Sequence, residues 1–203
     1  MKPRANKSAK SSKPLTGTWH RMRRSVRELS GDNSGLAAVE FAMIVPLMLV
    51  LFFGTVEFSS AFAIDRKVTV MARTLSDLTS QNISVTDTQL ANFRNAGAGI
   101  MTPYDATPIK STITELFVDP TTKVARVQWS KGDAPRGAGS TVAIPTALQV
   151  GGTYLIYSEV SYKYVPIVGY VMAKAGISMS DFNYTRPRQS LCVMYNTTVC
   201  TTT

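Results

Sequence analysis

Glu40 is the residue of this 203-residue chain whose position most needs a chemical explanation. The run from Phe41 to Val56, FAMIVPLMLVLFFGTV, holds no charge, and Glu40 stands at its mouth. A carboxylate in a membrane span costs about 2.5–3.5 kcal/mol at the bilayer centre and less near the interface. Such a group calls for a cation. Gly35, five residues earlier, offers one. A cut after Gly35 leaves Leu36 with a free ammonium, mostly charged near neutral pH because α-amino groups titrate near about 8. Glu40 is then the fifth residue of the shortened chain, one helical turn from the amine. Its partner is either its own terminus or that of a neighbouring subunit.

Other chemistry is sparse. The single histidine, His20, precedes Gly35, so a chain cut there has no Ser-His-Asp site and no histidine metal cluster. Asp105, Glu115, Asp119, Asp133, Glu159 and Asp181 fall on different elements and form no motif. Serine-lysine and carboxylate chemistry stay formally open, without a spacing that recommends them. The reading is therefore no enzyme, no catalytic residue, no metal and no cofactor. Cys192 and Cys200 are too few for a metal site. In an oxidising compartment they form a candidate disulfide closing a short C-terminal loop, contributing about 2–3 kcal/mol through loop entropy. The alternative is a pair of free thiols in a frayed end.

The net charge of +9 would suit a nucleic-acid partner, but its distribution does not. Residues 1–35 carry nine of the 22 Lys and Arg and only two acids, Glu28 and Asp32. Residues 36–203 keep 13 basic and 11 acidic groups. A basic block ahead of an apolar span marks the cytoplasmic side of a membrane. No basic face with interleaved aromatic residues follows the span, so the reading is membrane lipid and no nucleic acid.

The positioning elements follow from periodicity. Residues 1–35 read as a basic cytoplasmic leader, with a Lys/Ser/Pro-rich start. Trp19, Met22, Val26 and Leu29 recur at helical spacing and predict a short amphipathic helix over 18–30. Residues 36–80 read as one long helix. Leu36 to Val56 alone spans about 32 Å, enough to cross the hydrocarbon core. Val68, Met71, Leu75 and Leu78 then keep an apolar stripe for a globular domain. Pro46 should kink the span mildly. Residues 81–190 read as an α+β domain. A short helix starts at Thr86 or Thr88 and ends near Asn95, with Leu90 and Phe93 buried, before AGAGIMTPYD breaks it. STITELFV and KVARVQW flank the turn Asp119-Pro120-Thr121-Thr122 as a hairpin, and Gly132–Ser140 reads as a flexible loop. Thr153–Val165 is the strongest strand signal, with Tyr154, Ile156, Val160, Tyr162 and Tyr164 on one face. Leu155, Tyr157, Glu159, Ser161 and Lys163 form its more polar face. Gly176–Tyr184 is a last strand. Some four antiparallel strands on the outer half of the helix give the fold class α+β. Residues 191–203 form a C-terminal tail with the cysteine pair.

Gly35, the apolar stretch and Glu40 resemble the prepilin cleavage site of type IV-like pilins, and Glu40-Phe41 is similar to the Glu-Tyr or Glu-Phe of the Flp/Tad (tight adherence) subgroup. The longer string GLAAVEFAMIVPLMLVLFFGTVEF resembles the TadE-like pseudopilin domain. The resemblance implies a pilin-like fold and a minor pseudopilin cut between Gly35 and Leu36 by a prepilin peptidase. Glu40 and Phe41 would serve assembly. Its partners would be other pilins and pseudopilins, with the inner-membrane platform of a Tad apparatus. It would assist pilus assembly or secretion from a bacterial inner membrane, crossing it once, with the C-terminal domain in the periplasm or in the fibre.

Two other readings compete. Ala61-Phe62-Ala63 resembles a signal-peptidase site, but the leader would far exceed the usual length of about 15–30 residues and Glu40 would have no purpose. An uncleaved single-span envelope protein, whether scaffold, hydrolase or binding domain, is the alternative.

Overall fold

The computed structural model describes residues 34–166 and 176–200. The leader as far as residue 33, with the helix expected over 18–30, lies outside them. The chain divides into two compact units, residues 1–52 and 53–203. In the first, the described residues are helical, and from residue 35 all side chains but that of Val45, which is half-buried, are exposed.

Helix α1 runs Ser34–Ser80, 47 residues and about 70 Å, continuous through Pro46. In the second unit its buried side is Ile64, Val68, Met71, Ala72 and Leu75. These residues recur every three or four positions and lie over one face of a sheet. Leu78, expected in the same stripe, is only half-buried.

After α1 come β1 (Ser84–Val85) and α2 (Asp87–Gly99). Thr86 caps α2 in a reciprocal box: its Oγ1 accepts from Gln89 N–H at 3.3 Å, while Gln89 Oε1 accepts from Thr86 N–H at 2.9 Å. The helix does not stop at Asn95 but runs to Gly99, through the glycines expected to break it. Packing explains this. A Cβ on Gly97 would lie 3.2 Å from Met71 and 3.3 Å from Leu75, so a side-chain-free residue lets α2 settle against α1.

The main sheet contains β2 (Ile109–Val118), β3 (Ala125–Gly132), β4 (Thr141–Val142), β5 (Tyr154–Tyr164) and β6 (Ile177–Thr185). It is antiparallel, in the order β4-β3-β2-β5-β6. The fold is thus α+β, with five strands in the main sheet among the described residues where about four were expected. The expected hairpin is β2–β3, its turn held by Asp119 Oδ1, which accepts from the N–H groups of Thr121 and Thr122 at 2.7 Å each. A seventh strand, β7 (Met194–Tyr195), pairs in parallel with β1. Strands of two residues leave no readable periodicity, so this small sheet had no sequence signal.

The alternation read for β5 holds, with one correction about its second face. Ile156, Val160, Tyr162 and Tyr164 pack under the helices. Leu155 and Tyr157 are not on a solvated face. They are buried in one cluster with Leu116, Val118, Val127 and Ile144. Only Glu159, Ser161 and Lys163 reach the open end of that face. Ser158 is fully buried where the sheet meets α1, and its Oγ donates to the Ala72 carbonyl at 2.5 Å. A small residue is needed there because helix and strand backbones approach closely.

Gly97→Leu should destabilise the chain by about 1–3 kcal/mol by overpacking against Met71 and Leu75. Gly99→Leu, where an added Cβ meets nothing within 4 Å, should change stability much less. Urea unfolding of both variants in detergent, followed by tryptophan fluorescence, checks the contrast.

Candidate functional site

The residues singled out by sequence lie at the two ends of the described chain. Gly35, Leu36, Glu40 and Phe41 occupy the first two turns of α1. Leu36 and Glu40 are four residues apart and share a helix face. Leu36 is 62% exposed and Phe41 68%. Glu40 is exposed and makes no ion pair among the described residues. Around it the helix surface is apolar, through Met43, Ile44, Leu47, Met48 and onward to Phe53. A Cβ placed on Gly35 would meet nothing within 4 Å, and its backbone is not in the left-handed region. The fold itself makes no demand for glycine there.

At the other end, Cys192 and Cys200 are joined as a disulfide, with Cα atoms 6.4 Å apart. Cys192 packs against Phe117 and Tyr154. The segment leading to it is strapped across the domain. Arg188 N–H donates to the Ser80 carbonyl at 2.9 Å, and the Arg188 side chain pairs with Asp77. Tyr195 O–H donates to Asp87 and lies under the Lys131 ammonium.

The residue that sequence reasoning passed over is Glu115. Its side chain is almost wholly buried, between Ile113 and Phe117 on the face of β2 that turns toward the core. Its Oε1 accepts from Val193 N–H at 2.6 Å, and Trp129 Nε1–H donates to the Val193 carbonyl at 2.8 Å. Two side chains of adjacent strands thus hold the N–H and the carbonyl of one residue, Val193, in the C-terminal segment. Burial pushes the Glu115 carboxyl up to about 7, against the lowering effect of the bonds from Val193 and Trp129. The signal was present in the alternation of ITELFV, which puts position 115 in phase with Ile113 and Phe117.

The other carboxylates are dispersed into separate structural tasks. Asp105 and Asp119 hold turns, and bonds from Thr107 and from Thr122 and Thr121 keep both below their usual range. Asp133 Oδ2 accepts from Ser111 N–H at 2.7 Å while Oδ1 pairs with Arg94 at 2.9 Å. The loop from Gly132 to Ser140 is therefore tied down rather than free. Glu159 takes Arg136 at 2.6 Å and accepts from Tyr157 O–H at 2.9 Å. Burial first, and then its bond to Glu57, pushes the Tyr164 phenol up to about 12. Among the described residues no three of His, Cys, Asp and Glu gather into a metal-binding group.

The class these features define is an α+β protein whose N-terminal helix fits a single-pass membrane anchor. One helix, Gly35–Ser80, is long and apolar enough to cross a membrane. Residues 35–75 match the family model described as TadE-like protein. Over that segment the chain is similar to the TadE-like family. No curated protein and no solved structure matches it.

Glu115 gives a signed pH dependence. Between its unfolded value of 4.5 and about 7, the native carboxyl holds a proton that the unfolded chain has released. Stability therefore falls as pH rises through that window and levels off above it, by up to about 3 kcal/mol. Glu115→Gln keeps an acceptor for Val193 and should flatten the curve. Thermal unfolding in detergent from pH 5 to pH 8 measures both slopes.

Proposed function

We propose that this chain is a minor pseudopilin of a Flp/Tad pilus apparatus, cut by a prepilin peptidase between Gly35 and Leu36. The observation that carries the reading is Glu40, a carboxylate on an apolar helix surface, one turn from Leu36. In lipid, an unpaired carboxylate is costly, while an ion pair gains strength as the dielectric falls. Cleavage supplies the missing cation as the Leu36 ammonium. A neighbour's ammonium meets the same need and turns a local cost into a contact that holds subunits in register. Gly35 adds support, since nothing packs where its side chain would be. A glycine that the fold does not need is one that a peptidase can require.

The basic leader sets the cytoplasmic side, so the α+β domain faces the periplasm of a bacterial inner membrane or rides in the fibre. There an oxidised Cys192–Cys200 pair is stable. The role is assembly: priming or tipping a fibre made with other pilins at the inner-membrane platform.

Two substitutions separate processing from docking. Gly35→Leu should leave the leader attached, seen as no mobility shift when the chain is co-expressed with its peptidase. Glu40→Val should be cut normally but lose most of its crosslinking to partner pilins. Full crosslinking and normal piliation with Glu40→Val would remove the docking role, and a processed Gly35→Leu chain would remove Gly35 as the cut site.

A further inference from the structure

The two edges of the main sheet are unequal. On one side β4 offers two residues. On the other, β6 pairs with β5 through nine unbroken positions, Ile177 to Thr185 against Tyr164 to Ile156, with no bulge. That edge is about 30 Å long. Proteins protect such edges with lysine, proline, bulges or a covering segment, because the outer N–H and C=O groups recruit another strand. The β6 sequence, ISMSDFNYT, contains neither lysine nor proline. Among the described residues no strand meets its far side. One of its amides, that of Phe182, is met at 2.8 Å by Asp181 Oδ1.

Beside this edge, α1 and β6 enclose an open groove of about 400 Å³, lined by Arg73, Asp77, Leu78, Asn183 and Thr185. Its charges are unbalanced. Asp77 is paired with Arg188, and Asp181 accepts from Thr69 Oγ1 at 2.5 Å. Arg73 in the groove and Arg186 at the end of β6 are exposed and have no acidic partner among the described residues. Half-buried Leu78 adds an apolar spot to the groove.

We propose that the β6 edge is a docking site for an extended segment of a different protein subunit, which adds as a sixth strand and places carboxylates against Arg73 and Arg186. Main-chain hydrogen bonds supply the affinity of such strand addition, and alternate side chains supply the selectivity. A second copy of this chain is a poor occupant. Its β4 edge is too short, and its β6 brings one acid, Asp181, already held by Thr69. The proposal goes beyond the pseudopilin reading and does not rest on it, since an uncleaved chain presents the same edge.

The test uses the full chain in detergent and two synthetic nonapeptides of alternating threonine and valine. One has glutamate in place of its threonines and the other lysine. Hydrogen exchange should show fast-exchanging alternate amides in 177–185, which the glutamate peptide slows. Peptide N-methylated along one edge should fail to slow them. The double variant R73E/R186E should weaken the glutamate peptide by about tenfold or more and favour the lysine peptide. Protection of all β6 amides before any peptide is added would show that the chain covers its own edge and would overturn the proposal. Protection that grows with chain concentration would assign the edge to a second copy and overturn it too. So would equal binding of both peptides, or no protection by either.

Discussion

One helix, α1, is long and apolar enough to cross a membrane yet also carries the core face of the α+β domain, and the rest of the architecture follows from that double character. A helix bonds its own N–H and C=O groups, so it can pass from lipid to water without a break. The side chains record the change. Up to Phe53 the helix is apolar all round and exposed. From Ile64 onward Ile64, Val68, Met71, Ala72 and Leu75 form one buried face. The close approaches at Gly97 and Ser158 both serve this second part, letting α2 and the sheet come against α1 without a cavity. Glu40 is the exception to the first part. It breaks an apolar surface for which the described residues provide no cation, and the proposed pairing with an ammonium at Leu36 is what would account for it.

The C-terminal segment shows a different economy. Among the described residues, β1 and β7 supply only two residue pairs. Long side chains carry the rest: Glu115 and Trp129 hold Val193, Arg188 holds Asp77, and Tyr195 holds Asp87. The 8-residue separation of the cysteines closes this end covalently, next to Phe117 and Tyr154. The carboxyl beneath this strap is buried, and burial favours its neutral form.

Much of this was legible in the sequence because it rests on periodicity. The apolar stripe of α1, the β2–β3 hairpin, and the residues of β5 that face the helices follow from spacings of 3.6 and 2. The failures share a cause, which is long-range packing that a local pattern does not contain. AGAG continues α2 because Met71 and Leu75 lie opposite Gly97. Tyr157 is buried because Tyr184 of β6 stacks on it at 4.6 Å and the Arg136 guanidinium, from the loop after β3, lies over its ring. The β1–β7 pair joins segments about a hundred residues apart through strands too short to announce themselves. Of the site, Gly35, Leu36, Glu40 and Phe41 were legible as a motif, and Glu115 was legible only as a position in an alternation whose core face was already known.

The central claim is that Glu40 exists to meet an ammonium made at Leu36. The measurement that bears on it most directly is the mature N-terminus of the chain, taken by intact mass and N-terminal sequencing from membranes of cells with an active prepilin peptidase. The account predicts a chain that begins at Leu36. A chain that begins at Met1 would leave Glu40 without its cation, and one that begins at Ile64 would discard Glu40 altogether; either result contradicts it.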